Sequence, residues 1–427
     1  MGDMVRTTTG ILFLLLSLLW LPSTHAEERP AGGASDGAAA GVQWFQGRFT
    51  DALAEARARK VPLMVDVYAT WCGPCHALDR EVFSRGEVAR AAADYVAVKV
   101  DAEGDEGTQV VERYHVVGFP TVLFLDSEGK EIDRVFGYLP WQEFREAMRR
   151  FHEGKGTLAE LTEQARRNPL DPHLAYELGF RHAVRGDAQA ALVHFARLFA
   201  ARRLLRRRGR EAERAASDAL RLVPDADGPA LRTALATDLA ALEQEVERLL
   251  PGVYLVLGKY LYLRGRKDYA SAIRLLEALQ RRYPKSPEAR EVPYQLAIAY
   301  HRSGRSEEAL RLLRAHLQRV GQRPEEVNAA AWLCYREGLA RSWARRLAEE
   351  TLAQHPEAAG LWDTLAELRA ATGDLEGAVE AAKRARAADP EEPYYVTQQQ
   401  RFEAKLAAGR ERRSSQPDQS DERPTTR

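Results

Sequence analysis

Sulfur is scarce in this chain: 427 residues carry only three cysteines and four methionines. A secreted chain of this length with so few cysteines does not use disulfides as a framework. Charge of one sign is also missing, since 62 Lys and Arg balance 62 Asp and Glu. That balance argues against nucleic acid and against a strongly charged membrane surface as partner. Long apolar runs are absent apart from Ile11–Leu21, which falls short of the roughly 20 residues a spanning helix needs. No second Cys or His pair stands at zinc-ligand spacing, so neither a metal nor another cofactor is expected.

The one apolar run has a specific context. Arg6 precedes it and Thr24-His25-Ala26 follows it, the layout of a signal peptide over residues 1–26 cleaved after Ala26. An uncleaved N-terminal anchor is the alternative. The mature protein is therefore expected to be exported, periplasmic or extracellular. The Ala/Gly-rich stretch 27–41 reads as a flexible linker and the polar stretch 410–427 as a disordered tail.

Two of the three cysteines fall in Trp71-Cys72-Gly73-Pro74-Cys75, directly after the apolar run Val61–Ala69. A strand-length run, a turn with two cysteines and helix-compatible sequence put Cys72 at a helix N-terminus. Unpaired N–H groups and the helix dipole there favour a thiolate. Cys75 lies one turn on, within reach of a disulfide and expected to be the less exposed of the two. Such a pair can form a mixed disulfide and resolve it. The same residues with His76 also satisfy the C-x-x-C-H pattern of covalent haem attachment. A motif strung between a strand and a helix of a small α/β unit does not supply the pocket a haem needs.

The stretch resembles thioredoxin. Asp66 stands six positions before Cys72, the place of the family's buried carboxylate, and Gly118-Phe119-Pro120-Thr121 falls where the family carries a cis-proline. The resemblance implies that Cys72 and Cys75 form the redox-active disulfide, Cys72 attacking and Cys75 resolving. It makes Asp66 the proton carrier. Trp71, Gly73, Pro74, Phe119 and Pro120 would form the substrate-binding surface. Periodicity gives helices at Phe49–Arg59, Pro74–Phe83, Glu106–Tyr114 and Trp141–Phe151. Strands are expected at Val61–Ala69, Tyr95–Val100, Thr121–Leu125 and Glu131–Phe136. The thioredoxin-like domain spans 42–153. Departures are His76 in place of a lysine, a longer Asp101–Gln109 segment, and no lysine matching the one beside the buried carboxylate, Lys99 being displaced towards Asp101. With Ala-Leu-Asp-Arg-Glu-Val-Phe after the motif (Ala77–Phe83), the domain looks more like the C-terminal thioredoxin-like domain of the periplasmic transmembrane disulfide reductase.

Residues 154–409 are periodic and helical. Trp362, Leu365, Ala366, Gly373, Ala378 and Pro390 follow tetratricopeptide spacing, and Pro356 and Ala344 precede Pro390 and Ala378 by one period of that repeat. Earlier units run through Leu178, Gly179, Gly186, Ala191 and Phe195, through Leu257, Gly258, Gly265, Ala272 and Pro284, and through Leu296, Tyr300, Gly304 and Ala309. A degenerate stretch covers Ala200–Leu250. One hairpin cannot bury its apolar face alone, so the units must stack. Cys334 in this array reads as a buried inert thiol, and the basic cluster Arg202–Arg210 as a solvated helix face.

The fold expected is an α/β thioredoxin-like domain followed by an all-α tetratricopeptide-like solenoid. The function expected is an exported thiol–disulfide oxidoreductase, acting as a reductant on protein disulfides. Its partners would be disulfide-bearing proteins, a membrane thiol-transfer electron donor, and a protein or peptide ligand of the array. A repeat-based assembly scaffold with a regulatory redox domain is the alternative.

Overall fold

A computed structural model describes residues 41–168, 171–205 and 239–414. The expected signal peptide, most of the linker, the end of the tail and part of the degenerate stretch lie outside these residues. The chain divides into two compact units, one ending at Lys267 and one beginning at Asp268.

In the first unit the central strand β1 (Leu63–Tyr68) pairs in parallel with β2 (Val96–Asp101) and antiparallel with β3 (Thr121–Leu125). Strand β4 (Glu131–Phe136) lies antiparallel on β3 and completes the order β2-β1-β3-β4. Because side chains alternate along a strand, Leu63, Val65 and Val67 enter the core under α1 (Phe49–Arg59), with Ala52, Val98 and Leu123. Met64 enters the opposite core with Phe124, Phe144 and Phe151, and Asp66 follows Met64 on that face. Strand β1 begins later than the apolar run because Pro62 has no N–H to give the ladder.

The expected helix 74–83 is two pieces: α2 (Gly73–Leu78), then a wide π-type turn over Asp79–Phe83. A short helix α3 (Gly86–Ala92), not expected from the sequence, follows. Helices α4 (Asp105–Arg113) and α5 (Trp141–His152) sit within a residue or so of expectation.

The first unit does not stop at Glu153. It takes in α6 (Leu158–Arg167), α7 (Pro172–Ala183), α8 (Ala188–Leu205) and α9 (Leu239–Leu255), the last continuing in wide turns over Val256–Arg266. Asp133 on β4 is fully buried and accepts from the Leu158 N–H at 2.8 Å and from Arg181 at 2.6 Å. It also pairs with Arg185. Beside it the buried Arg134 donates to the Val184 carbonyl at 3.1 Å and the Tyr114 carbonyl at 2.7 Å. Phe136 packs edge-on against Phe180 and Tyr260. The first helical hairpin closes where Gly179 lets Phe195 in, since a Cβ on Gly179 would lie 2.5 Å from that ring.

The second unit is a run of antiparallel helices. These are α10 (Tyr269–Arg282), α11 (Val292–Arg302), α12 (Ser306–Val320), α13 (Pro324–Glu337), α14 (Arg341–Leu352), α15 (Ala359–Ala371), α16 (Leu375–Ala388) and α17 (Pro393–Ser414). Each packs on the next, and α13 also packs on α11 and α15, which is how a solenoid distributes its core. The unit read around Trp362 is α15 and α16: Leu365, Ala366 and Ala378 are buried, and Gly373 takes the left-handed turn at φ +85°. The unit read from Leu257 to Pro284 straddles the division at Lys267. The last helix runs on to Ser414, past the boundary expected at Gly409.

Candidate active site

Strand β1 delivers the chain to the site. After Ala69 the backbone turns, and Cys72 becomes the N-cap of α2 in extended conformation. Its Sγ accepts the Cys75 N–H at 3.2 Å, a donor placed to stabilise a thiolate. Pro74 occupies the first helical turn, where a missing N–H costs nothing. Cys72 and Cys75 are joined as a disulfide. Exposure does not separate the two cysteines as expected: they are 4% and 3% exposed. Their positions do, Cys72 capping the helix and Cys75 lying within it.

Trp71 and Phe119 cover the pair and meet edge-on at 6.1 Å. The Trp71 indole N–H donates to Glu103 at 2.8 Å, and a His76 ring nitrogen lies 2.9 Å from the Thr70 carbonyl. The Phe119–Pro120 bond is cis. The loop is held by Thr121 Oγ1 donating to the Gly118 carbonyl at 2.8 Å and by the Gly137 N–H donating to the Pro120 carbonyl at 2.8 Å. Trp71, Gly73, Pro74, Phe119 and Pro120 thus come together with the cysteines from two separate stretches of chain.

Asp66 is buried on the strand behind the pair. Burial pushes its carboxyl up to about 6, against the pull of Lys99. Its Oδ1 has no hydrogen-bond partner among the described residues, and its Oδ2 lies 3.2 Å from Lys99 Nζ. The sequence reading that no lysine neighbours this carboxylate is therefore corrected. Parallel register sets Lys99 opposite Asp66 and leaves Asp101 opposite Tyr68. Lys99 also pairs with Asp79 and lies over the rings of Trp44 and Tyr68 at 5.2 and 5.1 Å. Burial alone would lower its pKa, but Asp66 and Asp79 hold it raised, so it stays charged. Asp79 was not singled out from the sequence. The signal was there: it stands four residues after Cys75, on the same helix face.

Away from the site, Cys334 is buried in the second unit's core and burial pushes its thiol up to about 12. Among the described residues, no group of three or more His, Cys, Asp and Glu is arranged to hold a metal ion, and no helix is long and apolar enough to cross a membrane.

Known proteins resemble the two parts separately. The family described as "Thioredoxin-like domain" matches residues 49–152, and the family described as "Outer membrane lipoprotein" matches residues 263–383. The thiol:disulfide interchange protein DsbD of Yersinia pestis is 36% identical over 93 residues, which is 21% of this chain and 16% of that protein. DsbD of Escherichia coli is 33% identical over 102 residues, 23% of this chain and 18% of that one. The chain thus spans about a sixth of the length of the curated relatives it matches. Among solved structures, a thioredoxin from Thermus thermophilus shares 30% identity at TM-score 0.25, covering 27% of this chain and 91% of its own. YrrB, described as a TPR protein with an unusual peptide-binding site, shares 14% identity at TM-score 0.26, covering 56% of this chain and 96% of its own.

Proposed function

We propose, from the premise of a thioredoxin-like disulfide oxidoreductase domain with a Cys-x-x-Cys pair followed by tetratricopeptide-like repeats, that this protein is an exported reductant of protein disulfides. The observation that carries the reading is Asp66: a carboxyl held near neutrality by burial, on the strand that runs into the Cys72–Cys75 turn. A group of that pKa exchanges a proton at physiological pH, as the resolving step of dithiol chemistry requires.

In the reduced protein the Cys72 thiolate attacks one sulfur of a substrate disulfide. The substrate S–S bond breaks, its departing sulfur takes a proton, and a mixed disulfide with Cys72 remains. Asp66 accepts the Cys75 proton. The Cys75 thiolate attacks Cys72 Sγ, and the second substrate sulfur leaves and is protonated. The substrate gains two electrons and two protons; the protein is left with the Cys72–Cys75 bond. Lys99 steadies the carboxylate form of Asp66 that takes the proton, and Asp79 keeps Lys99 in place. Trp71, Gly73, Pro74, Phe119 and Pro120 form the surface against which an extended substrate segment lies.

The reducing direction is supported by the Gly-Pro spacer shared with thioredoxin, a low-potential dithiol. It requires a donor outside the chain, a membrane thiol-transfer protein. Export is supported by the 1–26 segment, by the interchange proteins named above and by the lipoprotein family likeness. The repeats take protein partners. The test is the redox state of Cys72 and Cys75 in intact cells, fixed by acid quenching and thiol alkylation. A reductant keeps the pair largely as dithiol at steady state. A pair found fully as disulfide overturns the reducing direction.

A further inference from the structure

The loop leading to Phe119 and Pro120 is walled by helices from outside the sheet domain. His115 lies against Gly186 in the turn between α7 and α8, and Arg134 ties the Tyr114 and Val184 carbonyls together. From the wide-turned segment Val256–Arg266, Arg264 reaches the loop itself. Its Nη1 lies 3.3 Å from the Val117 carbonyl, and a Cβ on Gly118 would come within 3.0 Å of the same nitrogen. The Arg264 side chain stands over the Tyr260 ring, which packs in turn on Phe136. Arg264 is exposed, and among the described residues no carboxylate pairs with it. A guanidinium has five N–H donors in a planar fork suited to carboxylate, and one contact to Val117 leaves most of them unused.

We infer that Arg264 is a specificity-determining residue of the dithiol site, recognising a carboxylate on the substrate segment that crosses Gly118–Pro120. The favoured substrates are protein disulfides flanked by Asp or Glu. The inference rests on the disulfide-exchange reading of Cys72 and Cys75. An extended segment advances about 3.3 Å per residue, so the carboxylate belongs within about three residues of the attacked cysteine. An exposed charge pair near 4 Å is worth about a factor of five in water.

The experiment uses the full chain and two disulfide peptides identical except for Glu or Gln at one position, two residues from the cysteine. The ratio of their kcat/KM values is read in the natural protein, in Arg264→Lys and in Arg264→Glu. The natural chain should prefer the acidic peptide roughly fivefold, mostly through KM. Arg264→Lys should keep part of that preference, and Arg264→Glu should invert it. Both peptides use one site, so a partial folding defect lowers both rates and leaves the ratio alone. A natural ratio near one, or a ratio unchanged in Arg264→Glu, overturns the inference while leaving disulfide exchange standing. Failure of the natural chain to reduce either peptide overturns the exchange reading, and this one with it.

Discussion

Replacing Asp66 by Asn in the oxidised protein should remove one step from its stability–pH profile. Below about pH 4 the carboxyl is neutral in both the folded and unfolded chains, and burial costs it nothing extra. Between about pH 4 and 6 the unfolded chain has released its proton while the folded chain still holds it, so folding weakens as pH rises. Above about pH 6 the loss is complete. The pKa rises from 3.8 to about 6, and at about 1.4 kcal/mol per pH unit this is ~3 kcal/mol. Asn does not titrate, and the other carboxyls contribute alike to both proteins, so the difference between the two profiles isolates this group. Hydrogen exchange at the β1 amides, corrected for the intrinsic pH dependence of exchange, reports opening of this core. The wild-type protection should fall relative to Asp66→Asn by roughly a hundredfold between pH 4 and 7. Parallel profiles across that range would refute the argument that a buried carboxyl titrates there.

Two other outcomes are expected. In the reduced protein at neutral pH, iodoacetamide followed by peptide mapping should find Cys72 modified first and Cys334 last, because Cys72 caps α2 and burial holds the Cys334 thiol at about 12; equal rates at Cys72 and Cys75 would sink the assignment of nucleophile and resolver. Asp133→Ala should destabilise the first unit by about 2–3 kcal/mol, since it removes the carboxylate shared by the half-buried Arg181 and Arg185, leaving them Glu177 and Glu131, and takes the acceptor from the Leu158 N–H. A change below about 1 kcal/mol in β1 amide protection would show the cluster to be solvated.

Local pattern carried much of the fold. Helix α1 and strands β3 and β4 sit at the bounds read from periodicity, because each has one unbroken period and a clear stop. The wide turn at Asp79–Phe83 was not legible: it adds a residue to a turn inside a helix-forming stretch, and periodicity over one turn cannot register that. Lys99 was misplaced for a different reason. Its pairing with Asp66 is decided by the register of β1 against β2, a relation between segments far apart in sequence. The charges of Glu131-Ile132-Asp133-Arg134 carry no local mark of burial. They are covered because α6 and α7 lie over β4, and no local signal announces a helix that arrives later in the chain. The expected separation at Glu153 missed this contact. Comparing full-length and truncated proteins there would disturb Asp133 and Arg134 along with any recruitment by the repeats.

The seclusion of Cys334 bears on the electron capacity of the molecule. With three cysteines in the whole sequence and one of them sealed in a helical core, each chain holds a single two-electron couple. No third accessible sulfur can relay the oxidation inward or shuffle the bond to a new pairing. In the proposed reducing direction, each substrate disulfide opened spends the one electron pair the chain holds, and an external dithiol must restore it before the next. In that direction turnover is bounded by the rate at which the outside dithiol arrives.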